Sequence, residues 1–234
     1  MMFAPWFLAA ALTVLPPPDS TRGLIEYHMH MEPSDDGKRV ALTFDACTGK
    51  VDERILKALV DNKIKATIFV TARWLKRNLA VIATLKAHSD LFEIENHGAK
   101  HLPAVDVPMN VFGLVAAGSA EAIKIEIEGG ETAAKVAFGT TPHWYRGAAA
   151  EYTKSSLELI RTLNFKPAGF SLSGDGGASW SAFRAAKAVA SAKDGDVIIA
   201  HINQPTKPAG AGVVQAIIKL KDEGFTFVTL DEGF

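Results

Sequence analysis

The chain has 234 residues, 48% of them hydrophobic and 22% charged, with a formal net charge of −1. That length buries one large core or two small ones, and the composition excludes a disordered chain. The near-neutral balance, with no basic stripe, excludes a nucleic-acid-binding surface. The single cysteine, Cys47, excludes an internal disulfide.

The first element is an apolar run over residues 3–15, interrupted by Pro5 and closed by three prolines. It is shorter than the roughly 20 apolar residues that span a bilayer, and it has the length of a signal-peptide core. Residues 1–20 are therefore expected to be an export signal or a hydrophobic anchor. The remaining chain is then a single domain over 38–234, placed in the periplasm or cell envelope, with no transmembrane bundle.

From residue 38 onward, strand-like and helix-like stretches alternate. Strands are predicted at 40–44 (VALTF), 66–70 (ATIFV), 92–96 (FEIEN), 143–146 (HWYR), 168–173 (AGFSLS), 196–201 (DVIIAH) and 225–230 (FTFVTL). Each is short, rich in β-branched or aromatic residues and bounded by Gly, Pro, Asn or Asp. A helix is predicted behind Asp52, a candidate N-cap, because Val51, Ile55, Leu56, Leu59 and Val60 recur at helical spacing. Helical periods follow over 119–137, 154–163, 180–192 and 212–222, the last stopped by Gly224. This alternation predicts parallel strands with helices outside, and seven units suit an irregular (β/α)7 barrel. An open, doubly wound sheet is the alternative.

In either architecture a ligand binds at the C-terminal edge of the strands. Asp45, His97, Arg146, Asp175 and His201 each end or follow a predicted strand, so five ionisable or polar residues are expected at one mouth. His97 and His101, in HGAKH, stand four apart; on one helical turn both imidazoles would face one metal ion. Gly98 stands where a zincin would carry its glutamate.

The order of these segments resembles the polysaccharide deacetylases of the NodB-homology family (carbohydrate esterase family 4). The segments are TFDA at 43–46, HGAKH at 97–101, RGAA at 146–149, GDGG at 174–177 and IIAH at 198–201. The resemblance implies N-deacetylation of a glycan such as peptidoglycan or a chitin-like oligomer on a (β/α)7 barrel, with a divalent metal, expected to be zinc. It implies Asp45 as base, His97 and His101 as metal ligands, Arg146 orienting the base, His201 as acid and Asp175 tuning that acid.

Two departures bear on these roles. The family pattern TFDD is TFDA here, so Ala46 replaces a metal-binding carboxylate. Asp45 is the expected third ligand, with Cys47, Glu95 or Asn96 as alternatives, or the metal is weak or absent. The family's R-x-P-Y segment is RGAA, leaving the backbone of Ala149 to face the substrate. Trp180, Asn203 and Gln204 are further substrate-contact candidates, whereas Trp74 suits helix–sheet packing and His28, His30, His88 and His143 suit exposed positions. Competing functions are hydrolysis of another non-peptide C–N bond, as in a cyclic amide, and metal-free glycan binding by a pseudoenzyme.

Overall fold

The computed structural model describes residues 21–33, 35 and 37–234. The expected signal or anchor at 1–20 lies outside the described residues. Among the described residues no helix is long and apolar enough to cross a membrane.

The first half of the chain contains β1 (Ile25–Glu26), β2 (Arg39–Ala46), α1 (Glu53–Asp61), β3 (Ala66–Val70), α2 (Ala72–Arg77), α3 (Leu79–Ala87), β4 (Phe92–Asn96), β5 (Asn110–Val111) and β6 (Leu114–Val115). Next come α4 (Ala120–Phe138), β7 (Trp144–Tyr145), β8 (Glu151–Tyr152), α5 (Lys154–Thr162), β9 (Lys166–Pro167) and β10 (Leu172–Ser173). The chain ends with α6 (Ala182–Val189), β11 (Val197–His201), α7 (Ala209–Asp222), β12 (Thr226–Val228) and α8 (Leu230–Gly233). The principal sheet is parallel, in the order β10-β11-β2-β3-β4-β7-β9, with β12 on the first residues of β2.

The sheet curls into an irregular (β/α) barrel. The single strand expected at 168–173 does not form: β9, just before it, pairs with β7, and within it only Leu172–Ser173 forms a strand, β10, which pairs with β11 at the opposite edge of the sheet. One segment thus bridges both edges and bends between them. Residues 27–30 lie across the bend: the Met29 N–H donates to the Phe170 carbonyl and the Phe170 N–H to the Tyr27 carbonyl. The approach is so close that a Cβ at Gly169 would fall 1.4 Å from the Tyr27 carbonyl oxygen, so only glycine fits there.

Period-2 alternation sorts the strand side chains. Val40, Leu42, Phe44 and Ala46 of β2 pack outward, in the apolar layer beneath helices such as α1 and α7. Ala41, Thr43 and Asp45 face inward. Helix α1 begins where expected, since the Asp52 carboxylate accepts from the Arg54 N–H, and it buries Ile55, Leu56 and Leu59. Trp74 packs in the same helix-side layer. Helices α2 and α3 were not expected. The α3 sequence, LAVIATLKA, is apolar on every side, and Leu79 is 71% exposed, so no periodicity marks a buried face.

Candidate active site

The C-terminal ends of β2, β4, β7 and β11 bring Asp45, His97, Arg146 and His201 together, with Asp175 from the segment after β10. In the parallel register His201 stands beside Asp45. Arg146 is wholly buried. Its Nη1 donates to the Asp45 Oδ1 and to the Thr43 hydroxyl, each at 2.9 Å, and its Nη2 donates to the Gly169 carbonyl at 2.7 Å. The guanidinium also lies 4.2 Å from the centre of the Phe69 ring. Asp45 is therefore held in one orientation by a charge-assisted bond. Burial alone would raise its pKa, but His97, Arg146 and His201 outweigh burial and keep it below the ordinary carboxylate value.

His97 and His101 meet, with ring centres 4.9 Å apart, but not on a helical turn. β4 ends at Asn96, and the next residues form a loop in which Gly98 and His101 have φ of 86° and 66°. This corrects the helical expectation: the two imidazoles converge because the backbone turns left-handed twice. Glu126 of α4, which no motif marked, organises that loop. Its carboxylate accepts from the Lys100 N–H (2.7 Å) and the Leu102 N–H (3.2 Å), and its carbonyl accepts from the Ala99 N–H (3.0 Å). A Cβ on Gly98 would lie 2.5 Å from this carboxylate.

The His97 Nδ1 lies 2.7 Å from the Arg146 carbonyl, which can only accept, so Nδ1 carries the proton. Nε2 is left as a lone-pair donor, 3.6 Å from the Cys47 Sγ and 3.6 Å from the Asp45 Oδ2. The ligand atoms of Cys47, His97 and His101 all lie within 4.8 Å of one another, so this donor set fits a divalent transition metal. Burial opposes ionisation of the Cys47 thiol, but the surrounding His101, His201 and His97 bring it well below the ordinary thiol value. Glu95 and Asn96 turn elsewhere. Glu95 accepts from the His143 and Trp144 N–H groups, and the Asn96 amide bonds the Ile127 carbonyl and the Gly98 N–H.

On the other side of the mouth, the Asp175 carboxylate accepts from the His201 backbone N–H at 2.7 Å and lies 3.0 Å from its Nδ1. Burial would lower the His201 pKa, but Asp175 raises it well above the ordinary imidazole value. Asn203 is buried, with its amide nitrogen toward the Asp45 carbonyl (3.1 Å) and its amide oxygen toward the Thr48 N–H (3.2 Å), so it ties down the loop after β2. Gln204 and Trp180 are half-buried; the Trp180 indole lies 4.0 Å beneath the Arg184 guanidinium, and its backbone N–H donates to the Asp175 carbonyl. Ala149 is half-buried with φ of 67° and packs beside Val105, Val111 and Ala116. His28, His30 and His143 are exposed, and His88 caps the end of α3.

A curated relative, a bifunctional xylanase/deacetylase of Pseudobutyrivibrio xylanivorans, is 26% identical over 198 residues, which cover 84% of this chain and 30% of the relative. The chain thus spans less than a third of that protein. Among solved structures, a CE4 family pseudoenzyme from Bacillus anthracis aligns with a TM-score of 0.69 at 20% identity, covering 89% of this chain and 69% of that one. The family 4 carbohydrate esterase PdaA of Bacillus subtilis aligns with a TM-score of 0.68 at 19% identity, covering 88% and 83%. These two likenesses establish a shared fold. The polysaccharide deacetylase family model matches residues 32–168, more than half of the sequence. The chain accordingly belongs to the polysaccharide deacetylase family.

Proposed function

We propose that this chain removes acetyl groups from an N-acetylated glycan, of the peptidoglycan or chitin type. The observation that carries the reading is the pair of oriented groups at one mouth: Asp45 held by Arg146, and His201 held by Asp175 in the adjacent register position. Amide hydrolysis needs one group to take a proton from water and another to give a proton to the departing nitrogen. Asp45, an acceptor fixed beside His97, takes the water proton as oxygen attacks the acetyl carbon. His201, with Nδ1 engaged by Asp175, presents Nε2–H to the nitrogen as the C–N bond breaks. Acetate and a free amine result. A divalent metal held by His97 and His101 would lower the pKa of attacking water and polarise the acetyl carbonyl. Trp180, whose backbone N–H donates to the Asp175 carbonyl, Gln204 and the backbone at Ala149 are assigned to contact with sugar rings. Export, expected from the apolar run at 3–15, would bring the site to a cell-wall substrate.

The test is acetate release from peptidoglycan and N-acetylglucosamine oligomers, with and without a chelator. Release that stops with chelator and returns with a divalent metal is expected. One observation favours a second reading, glycan binding without hydrolysis: Ala46 offers no carboxylate where the family pattern has one. Folded protein that binds these glycans and releases no acetate under any metal condition would establish that reading instead.

A further inference from the structure

We propose that Cys47 supplies the third ligand of the metal centre, making it His97–His101–Cys47; this rests on the metal-dependent reading above and changes its donor set. Ala46, at the position where the family pattern carries a metal-binding carboxylate, is wholly buried in the apolar layer under the helices and offers no donor. Beyond the strand end the chain turns and brings Cys47 to the inner side. Thr71, the N-cap of α2, holds that turn: its hydroxyl donates to the Cys47 carbonyl and its N–H to the Ala46 carbonyl.

The distances suit one ion. Zn–S and Zn–N bonds of about 2.3 and 2.0–2.1 Å at a tetrahedral angle put sulfur and nitrogen about 3.5 Å apart. The Cys47 Sγ and His97 Nε2 are 3.6 Å apart, with His101 completing a group whose ligand atoms all lie within 4.8 Å. Nδ1 of His97 is occupied by the Arg146 carbonyl, so its free lone pair is the one facing Cys47. Glu95 and Asn96 spend their side chains on backbone groups, and Asp45, whose Oδ1 is held by Arg146 and whose Oδ2 lies 3.6 Å from the His97 Nε2, is not in the group whose ligand atoms all lie within 4.8 Å of one another. Asp45 then remains free to act as base. Three protein ligands leave a fourth position for water or substrate, and a thiolate among them selects zinc or cobalt over magnesium or calcium.

The experiment uses the whole chain, stripped with chelator and titrated with Co2+. A thiolate-to-cobalt charge-transfer band growing to one equivalent is expected, and its loss in Cys47→Ser, with Zn2+ affinity lowered more than ~100-fold. Zinc X-ray absorption on the wild-type chain keeps the test independent of how that variant folds. One sulfur scatterer at about 2.3 Å supports the assignment. A shell of nitrogen and oxygen alone, cobalt bound without the band, or no metal binding at all overturns it. Acetate release is measured separately. The sulfur signature in a protein that releases no acetate leaves the Cys47 assignment standing and removes the deacetylase reading. Metal-independent release abolished by Cys47→Ser overturns the ligand assignment and makes the thiol a nucleophile.

Discussion

Asp45 and Glu95 occupy matching positions in the sheet, Asp45 opposite Phe69 and Phe69 opposite Glu95, and they are 3% and 2% exposed. Their carboxylates nonetheless end in opposite states. Asp45 meets a guanidinium at 2.9 Å and the imidazoles of His97 and His201, and its pKa is lowered. Glu95 meets two neutral backbone N–H groups, from His143 and Trp144, with Glu93 and Asp231 near it; burial first, and then those like charges, push its pKa up to about 9. Burial is common to both, so company decides. The mouth holds charge available for proton transfer. The inner face of β4 holds a neutral carboxyl that fastens the start of β7 and, through Glu93 and the Asp231 N–H, the start of α8.

The contrast can be broken most severely at the mouth. Asp45→Asn and His201→Ala should each lower acetate release by ~10²–10⁴-fold with the fold retained, checked by kinetics and circular dichroism. Arg146→Met should leave Asp45 buried and unpaired, at a cost of about 3–5 kcal/mol in denaturant unfolding. The same change in an Asp45→Asn background should cost less, because no charge is then stranded.

A smaller effect is expected at Glu95, and its sign is opposite to that of a paired acid. A folded pKa raised above the ordinary 4.5 means that the native chain keeps a proton the unfolded chain releases. The stability from this group is full below pH 4.5 and is lost as pH rises through about 9. Glu95→Gln keeps an oxygen for the His143 and Trp144 N–H groups and has no proton to lose. It should flatten the decline between pH 5 and pH 9 and raise stability at pH 8 relative to the parent chain, read from thermal or urea unfolding. An unchanged decline in the variant would show that the carboxyl is ionised in the folded state.

The smallest effect belongs to the loop joining the two histidines. Gly98→Ala forces a side chain into left-handed backbone and against Glu126, costing about 1–2 kcal/mol of stability. It should also weaken metal binding, measured by calorimetric titration, because His101 is placed by that turn.

The central strands β2, β3, β4 and β11 were legible in the sequence, because β-branched runs bounded by Gly, Asn or Asp carry a period that does not depend on distant residues, whereas the strand expected at 168–173 was not one and that at 225–230 runs into α8. Also legible was the gathering of Asp45, His97, Arg146, Asp175 and His201, since a parallel sheet puts every strand's C-terminal end at one edge. The two helices between β3 and β4 were not legible, as the α3 sequence lacks a polar face to set its phase. Glu126 was invisible because it reaches the loop only through the packing of α4.

The amino-acid sequence alone thus determined the alternating architecture, the edge at which chemistry sits and the residue types available there. Local patterns of two and 3.6 residues report which face a side chain takes. They do not report which groups meet across a loop. Tertiary structure decided that Arg146 reaches Asp45 across 101 residues, that the 166–174 segment closes the barrel, and that Cys47 joins His97 and His101. These outcomes depend on left-handed turns and on angstrom-scale distances between chain segments, and no periodicity encodes either.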